Sequence, residues 1–323
     1  MKWALGIVIG LLVLLAVSVR VAPSILLDRV IAQAEQSVEA DGGELTYDRI
    51  ERSEGLFSTE RRFHALSVQQ PGGVLVTAET FDVSVPAWDW RRAHWRSESA
   101  IRAEEPGNWI LTASQPNTST LFGLTGQLET LDFAAPAARF DSPAAGFSIS
   151  LQSPTADYGR TTSPGGGTVL QASASRVEGQ PLALALENVR LNGTIEPPWP
   201  TDPGPTAIEI WRDSGGTVEI IDIHADLPKG ATLDLQATLQ LDQALQPTGD
   251  GQVSIGNYES VIDFLIERGL MDQDAAVMIK LTVGLIAAAD EDGDPAALTM
   301  PLRIENGQLF AGEFLIGPVP PVF

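Results

Sequence analysis

The feature that most restricts the fold of this chain is a strict alternation of apolar and polar residues in its second half. Between positions 233 and 241, leucine or alanine occupies every odd position, and aspartate, glutamine or threonine occupies every even one. Because successive side chains of a β-strand point to opposite sides of the sheet, this segment predicts a strand with one apolar and one polar surface. A sheet with such an apolar surface has to be covered by something.

Similar short stretches, separated by glycine and proline, recur from Glu44 onwards. Proline cannot donate a ladder hydrogen bond, and clusters of glycine and proline mark turns, so these residues divide the chain into short strands. This spacing is typical of an antiparallel, mainly β protein and not of alternating βαβ units. In the first half the pattern predicts strands over 57–68, 74–85, 95–103, 109–113, 127–133 and 147–151.

Three local signals in the second half mark a turn, an irregularity and a break. The Asn192-Gly193 pair predicts a turn at the end of an alternating stretch. The apolar positions change phase between residues 218 and 227, which predicts a β-bulge near Ile220-Ile221. The proline-rich segment 196–205 cannot join a central strand and is predicted to be an extended linker or crossover.

The strongest hairpin signal in the chain is Asn306-Gly307. These two residue types adopt the positive φ angles that a type I′ turn requires. The flanking alternation then predicts that Ile304 pairs with Leu309 and that Leu302 pairs with Ala311.

Two regions have the three- and four-residue apolar spacing of helices. The first covers residues 25–38, and Asp41-Gly42-Gly43 predicts its end. We expect this helix to cover the first strands, and an amphipathic stalk on a membrane is the alternative. The second region is a helical pair within residues 258–289, with a turn at Gly269 between the two helices.

The amino-terminal segment Trp3–Val19 is apolar and uncharged, and it lies between Lys2 and Arg20. Its 17 residues would form a helix of about 25 Å, which is at the short end for a membrane span. A cleavable signal is the alternative, with Ala16-Val17-Ser18 as the only fair cleavage site. We expect an uncleaved anchor, with the chain that follows exported across the membrane.

The composition restricts the possible partners and chemistry. The formal net charge is −22, so the chain would be repelled by the phosphate backbone of a nucleic acid. The same sign disfavours broad adsorption to anionic lipid, except at local basic patches. There is no cysteine, which excludes disulfides, thiolate metal sites and cysteine nucleophiles.

One segment is similar to a catalytic motif. Asp213-Ser214-Gly215-Gly216 resembles the nucleophile segment of chymotrypsin-like proteases, and two histidines precede it, as the chain order of that family requires. However, Arg212 stands where that family has the oxyanion-hole glycine. We therefore expect an ordinary turn that joins a strand over 208–212 to one over 217–220.

No metal site or cofactor is expected. The acidic segment Asp290–Asp294 could attract calcium, but it lacks the twelve-residue loop and the terminal glutamate of an EF-hand, so it predicts a solvated turn. His64, His94 and His224 have no paired spacing on one helix or strand, so they do not predict a metal site either.

The most unusual stretch is Trp88–Arg96, which concentrates tryptophan and arginine in an acidic chain. We expect a bend between strands, with the indoles packed on the core and the arginines paired with Glu98, Glu104 or Glu105. The alternative is a surface that contacts lipid headgroups, an acidic partner or an anionic glycolipid.

Three features together resemble an uncharacterised family of Gram-negative envelope proteins, the domain of unknown function 2125. They are the tryptophan-bearing apolar amino terminus, the passage Ser84–Trp90 that closes an early strand, and the ending formed by residues 298–310 and 317–320. The family supplies no site residues to transfer. A similarity in architecture to AsmA-like envelope proteins would imply a long curved sheet whose apolar concave face shelters lipid.

The predicted fold is mainly β. It is a long curved antiparallel sheet, either an open half-barrel or sandwich-like, with an amino-terminal transmembrane helix and a small helical insertion near the carboxyl terminus. The predicted organisation is a membrane anchor over 1–22, a juxtamembrane amphipathic helix over 23–42, and a periplasmic β-rich domain over 43–323.

The predicted function is non-enzymatic. We expect a single-pass inner-membrane protein, with most of its chain in the periplasm, that binds or shelters an apolar ligand such as lipid or scaffolds the envelope. One alternative is an anchored adaptor for an envelope protein complex, which would dock through Trp88–Arg96. A hydrolase that uses Ser214 is the other alternative.

Overall fold

The computed structural model shows a mainly β protein whose strands pair in antiparallel fashion, with few helices. The described chain divides into two compact units, residues 1–155 and 156–323. The structure describes residues 27–28, 31–32, 35–36, 38–40, 42–55, 58–70, 73–123, 128–160, 166–180, 184–198, 200, 205–269, 271–273, 276–277, 280 and 297–319.

The first unit consists of a helix followed by strands. The helix, α1, is described at residues 27, 28, 31, 32, 35, 36 and 38–40. The strands are β1 (Glu44–Thr46), β2 (Arg49–Glu54), β3 (Ser58–Gln69), β4 (Leu75–Pro86), β5 (Arg92–Arg96), β6 (Ala100–Glu105), β7 (Trp109–Ser114), β8 (Asn117–Phe122), β9 (Leu128–Ala134), β10 (Ala137–Ser142) and β11 (Phe147–Gln152).

Strand β12 (Thr155–Arg160) begins at the boundary between the units. A short 3₁₀ turn, Pro228–Gly230, separates β15 from β16 in the second unit. The other elements of that unit are β13 (Thr168–Gln180), β14 (Leu184–Glu196), α2 (Pro205–Asp213), β15 (Thr217–Leu227), β16 (Ala231–Leu241), β17 (Pro247–Gly256), α3 (Tyr258–Glu267), β18 (Ala297–Glu305), β19 (Gln308–Ala311) and β20 (Phe314–Pro318).

The long hairpin formed by β3 and β4 organises the first unit, with Phe63 opposite Phe81. Strand β5 pairs with one half of β4, and β6 pairs with the other half. The single strand predicted over 95–103 is therefore wrong, because residues 97–99 interrupt it. The Ser97 hydroxyl instead donates to the carbonyl of Thr80, so these residues hold β4 through a side chain.

Later strands of the first unit are interrupted in the same way, at Gln115-Pro116, Ala135-Pro136 and Ser153-Pro154. Proline has no N–H to donate, so the ladder cannot continue unchanged. The sequence does not predict β8, β10 and β12, because each lies beyond one of these prolines. The proline carbonyls still accept hydrogen bonds across the breaks, from Ser97 to Pro116 (3.0 Å), from Ser153 to Pro136 (2.8 Å) and from Ala135 to Pro154 (3.1 Å).

Helix α1 covers the first strands, as the apolar spacing predicts. Leu27 is 3% exposed and belongs to a core cluster with Phe63, Val83, Val85 and Ala93. The predicted end of this helix is also confirmed. The N–H of Gly43 donates to the carbonyl of Val38 at 2.8 Å, and Gly42 has a φ of +81°, which is the left-handed conformation that favours glycine at a helix end.

In the second unit the predicted β-bulge is confirmed. The register between β15 and β16 shifts between Ile220 and Ile223. The turn predicted at Asn192-Gly193 is wrong, because both residues lie inside β14. A Cβ atom on Gly193 would lie 2.8 Å from the carbonyl oxygen of Glu219. Glycine is therefore required there by the close approach of β15 at the bulge and not by a turn.

The strand predicted over 208–212 is also wrong, because these residues belong to α2. Ile210 is 65% exposed, and the buried pair is Ile208 and Trp211. That three-residue spacing is the spacing of a helix face. The indole N–H of Trp211 donates to the carbonyl of Pro197 at 2.8 Å.

The carboxyl-terminal hairpin is confirmed in full. Ile304 pairs with Leu309 and Leu302 pairs with Ala311, and Asn306 and Gly307 have φ angles of +55° and +69°. These are the positive φ angles of a type I′ turn.

Of the predicted helical pair, the first helix is α3, and Gly269 after it has a φ of +68°. The second is helical at residues 273, 276, 277 and 280, and the remainder of it up to 289 lies outside the described residues. The predicted anchor, Trp3–Val19, also lies outside them. Among the helices that the structure describes, none is both long and apolar enough to cross a membrane.

Candidate functional site

The first unit contains an apolar cavity of about 260 Å³ between α1 and the strands beneath it. We call it the α1 cavity. Four of its lining residues are buried, and the others are half-buried, so the cavity opens towards solvent. The lining residues are all apolar and are Leu27, Ile31, Leu45, Phe63, Leu66, Val68, Val76, Ala78, Phe81, Val83, Trp95 and Ile101.

An irregularity in the β3–β4 hairpin lets both halves of the hairpin contribute to the α1 cavity. In β3 the lining residues change from odd to even numbers between Phe63 and Leu66, and Ala65 between them has a φ of +53°. In β4 the same change occurs between Ala78 and Phe81. Because side chains alternate along a strand, these paired irregularities keep the apolar side chains of both strands on one face.

Aromatic rings form one wall of the cavity. The ring of Phe63 packs against Tyr47 at a centroid distance of 5.5 Å and against Phe81 at 6.5 Å. Phe81 in turn lies 5.9 Å from Trp95. The indole N–H of Trp95 donates to the hydroxyl of Thr120 at 2.8 Å. Its polar atom is therefore satisfied, and the ring can line an apolar space without an unpaired donor.

Two polar contacts fasten α1 over the cavity. Arg61 Nε of β3 lies 2.8 Å from Asp28 Oδ1, and only 1% of the Arg61 side chain is exposed. The hydrogen bond from Arg61 lowers the pKa of Asp28 below its usual range. Two turns further along α1, the hydroxyl of Tyr47 donates to the carboxylate of Glu35 at 3.0 Å.

The opposite face of the same strands is charged. Asp82, 1% exposed, accepts two hydrogen bonds from Arg62 at 2.7 and 2.9 Å and one from Arg96 at 3.1 Å. Burial raises the pKa of Asp82, but the hydrogen bonds from both arginines outweigh it, and the pKa is lowered. Arg96 also pairs with Glu60 and Arg62 with Glu98, both at 2.9 Å. The hairpin therefore has one apolar and one charged face.

The Trp88–Arg96 stretch forms the predicted bend, but its tryptophans divide into two groups. Trp95 lines the α1 cavity, whereas Trp88 is 72% exposed and Trp90 is 52% exposed. The expectation that all the indoles pack on the core is therefore wrong. The expected pairing with Glu98, Glu104 or Glu105 is also wrong, because Arg92 pairs with Asp89 at 3.2 Å and Arg96 pairs with Asp82 and Glu60.

The protease-like segment forms the predicted turn at the end of α2. The hydroxyl of Ser214 donates to the carbonyl of Trp211 at 2.7 Å, and the N–H of Gly216 donates to the same carbonyl at 3.0 Å. Gly216 is required there because a Cβ atom would lie 2.4 Å from the Trp211 ring. Ser214 therefore serves to end the helix.

The histidines lie on separate strands. His64 Nε2 in β3 is 3.2 Å from Glu51, and His94 lies in β5. In β15, His224 Nδ1 is 2.7 Å from Asp234, and its Nε2 is 3.4 Å from Asp226. The hydrogen bond to Asp234 raises the pKa of His224.

Among the described residues, no three histidine, aspartate or glutamate side chains lie close enough together to hold a metal ion. The acidic segment Asp290–Asp294 lies outside these residues.

The second unit presents the one-sided strand that the alternation predicts. The residues of β16 at odd positions from Leu233 to Leu241 are half-buried, while Gln236, Thr238 and Gln240 are exposed. Helix α3 covers one end of this apolar face, where Tyr258 and Ile262 pack against Leu298.

Sequence reasoning did not find the α1 cavity. The alternation in β3 and β4 was visible, but which strand faces lie under α1 depends on the pairing of distant segments. The sequence does contain one indication of the cavity. At Ala65 and near Glu79 the apolar residues of a strand change between odd and even positions.

The chain belongs to a bacterial family, which confirms the resemblance seen in the sequence. The family, described as "Uncharacterized protein conserved in bacteria (DUF2125)", has a model that matches residues 57–320. No curated protein and no solved structure matches the chain.

Proposed function

We propose that this member of the family binds an apolar molecule, such as an acyl chain of a lipid, in the α1 cavity. The proposed role is non-enzymatic, and the protein shelters or holds its ligand at the surface of the inner membrane. In this proposal residues 1–22 anchor the chain and the strands lie in the periplasm. The observation that carries the proposal is an open cavity whose lining residues are all apolar.

The size and chemistry of the cavity fit a single apolar chain or ring. Its volume of about 260 Å³ exceeds that of an engineered apolar cavity of about 150 Å³ that binds benzene. Each methylene group that leaves water for such a site contributes about 0.8 kcal/mol. An acyl chain would therefore gain affinity in proportion to the length that enters, without a specific polar contact.

Other apolar surfaces support the proposal less directly. The apolar face of β16 is half-buried. Within the described part of the second unit, α3 covers one end of this face. It lacks the enclosure that α1 and the aromatic wall give to the cavity. The architecture expected from AsmA-like proteins, a curved sheet that shelters lipid, is consistent with the same function.

The test is the retention of lipid by the full-length protein, purified in detergent and examined by native mass spectrometry and lipid extraction. Ala78 is 5% exposed and lines the cavity, so Ala78→Phe places a ring in the ligand space. Ala100→Phe adds the same ring at an exposed position of the neighbouring strand β6 and serves as the control.

We expect the unmodified protein and Ala100→Phe to retain lipid. Ala78→Phe should retain at least about tenfold less lipid than the unmodified protein. Circular dichroism shows whether the variants fold. If Ala78→Phe does not fold, Val76→Phe fills the same cavity from a second lining position. Equal lipid retention by a folded filled variant and its control, or no lipid on any of them, would overturn the proposal.

A further inference from the structure

The loop between β4 and β5, residues 87–91, is the second feature of the first unit that points to a membrane. We propose that this tryptophan loop inserts Trp88 and Trp90 into the headgroup region of an anionic bilayer, with Arg91 contacting the lipid phosphates. The inference rests on the proposed attachment of the chain to a membrane, but not on the proposed ligand of the α1 cavity.

The exposure of the two indoles sets the loop apart. Trp88 is 72% exposed and Trp90 is 52% exposed. By contrast, Trp211 is 3% exposed, and Trp95 and Trp109 are half-buried. Tryptophan is enriched at membrane–water interfaces because its large ring prefers an apolar environment while its N–H stays near water. Two neighbouring exposed indoles fit that environment better than bulk water.

Backbone hydrogen bonds hold the loop in shape. The N–H of Asp89 donates to the carbonyl of Pro86 at 3.3 Å, and the N–H of Arg92 donates to the carbonyl of Asp89 at 3.0 Å. At the end of the loop, the N–H of Phe122 donates to the carbonyl of Arg91 at 2.9 Å. Because the turn is formed in advance, insertion requires little further ordering of the backbone.

The local charge also favours an anionic surface. Asp89 carries the negative charge of the loop, and Arg92 pairs with it at 3.2 Å. Within the described residues, no carboxylate lies within ion-pair distance of Arg91. The loop therefore offers a cation in a chain whose net charge is −22. A basic group next to apolar anchors is what draws a surface to anionic headgroups.

The loop lies close to the first described residue of the unit. Leu27, the first described residue, packs with Val85 and Ala93, which flank the loop on either side. Eight residue steps separate Leu27 from Val19, the end of the apolar run, and an extended chain covers at most about 28 Å in that distance. A membrane that contains the apolar run is therefore within reach of the loop.

The absence of cysteine from the chain makes a direct depth measurement possible. The full-length protein is reconstituted into vesicles of phosphatidylcholine and phosphatidylglycerol with one nitroxide label, at Ala87→Cys in the loop. The control label is at Asn108→Cys, an exposed turn after β6. Power saturation then compares the access of oxygen, which concentrates in the bilayer, with that of a water-soluble nickel complex.

We expect the label at position 87 to be accessible to oxygen and shielded from nickel, and the label at position 108 to show the reverse. Adding Trp88→Ala and Trp90→Ala should return the label at 87 to the behaviour of the control. These variants should keep any lipid bound in the α1 cavity, which separates this inference from the proposed ligand.

Three results would overturn the inference. They are a label at 87 that is as accessible to nickel as the control, a chain that does not float with the vesicles, and a label that is shielded only when other envelope proteins are present. The last result would favour the adaptor alternative, in which the loop binds a protein.

Discussion

The guanidinium of Arg61 lies 2.8 Å from the carboxylate of Asp28, and this contact joins the sheet of the first unit to α1 above the cavity. The Arg61 side chain is 1% exposed, whereas that of Asp28 is 38% exposed. A buried guanidinium requires an anionic partner, and Asp28 of α1 provides one for Arg61. The ion pair therefore helps to set where α1 lies over the apolar lining.

The first prediction concerns this ion pair. Asp28→Ala should lower the free energy of unfolding of the first unit by about 2 kcal/mol, less than for a fully buried pair because Asp28 is partly in solvent. Arg52→Ala is the control, since Arg52 lies 3.8 Å from the same carboxylate but is 65% exposed; it should cost under about 0.5 kcal/mol. Urea denaturation measures both, and equal effects would show that the buried position of Arg61 is unimportant.

The second prediction concerns His224, whose pKa is raised chiefly by its hydrogen bond to Asp234. Its charged form is held more tightly in the folded state, so the stabilisation is complete below the unfolded pKa of about 6.5 and is lost as the pH rises through the folded pKa. His224→Gln should therefore flatten the decline in stability of the second unit above about pH 6.5. Asp234→Asn removes the main partner and should lower the pKa of the imidazole, measured by NMR titration. An imidazole pKa unchanged in Asp234→Asn would contradict this account.

The third prediction tests the bulge in β15. Gly193→Ala places a Cβ atom 2.8 Å from the Glu219 carbonyl oxygen, so the strands must separate at the bulge. We expect a loss of about 1–3 kcal/mol in the stability of the second unit. Gly179→Ala in β13 is the matched control, because no atom lies within 4 Å of the added carbon; it should be neutral or stabilising. If both variants behave alike in thermal denaturation, close approach is not the reason for glycine at 193.

The sequence predicts local structure well where a short motif is compatible with only one backbone conformation. Asn306-Gly307 makes its hairpin with the predicted partners, and the phase change at Ile220-Ile221 marks a real bulge. The same dipeptide at Asn192-Gly193 is misleading, because glycine is needed there to let the neighbouring strand β15 approach closely, and not to form a turn. Alternation over a segment as short as 208–212 cannot distinguish a strand from a single helix face.

The candidate site depends on contacts between distant segments, which a single sequence does not show. The α1 cavity forms because the side-chain alternation of β3 and β4 shifts by one residue at the paired positions Ala65 and Glu79. It also requires β5 and β6 to pair with different halves of β4. The exposure of Trp88 and Trp90 depends in the same way on which side of the bend is covered. Composition predicted their presence, but not which tryptophans of the stretch remain outside the core.

The most direct test of the central claim is photocrosslinking of the full-length protein with a diazirine-bearing fatty acid, followed by mapping of the modified peptides. Ligand in the α1 cavity predicts adducts within residues 63–83 and at Trp95, lost in Ala78→Phe and kept in Ala100→Phe. Adducts confined to the β16 face of the second unit, or to residues 1–26, would contradict the assignment of the ligand site to the α1 cavity.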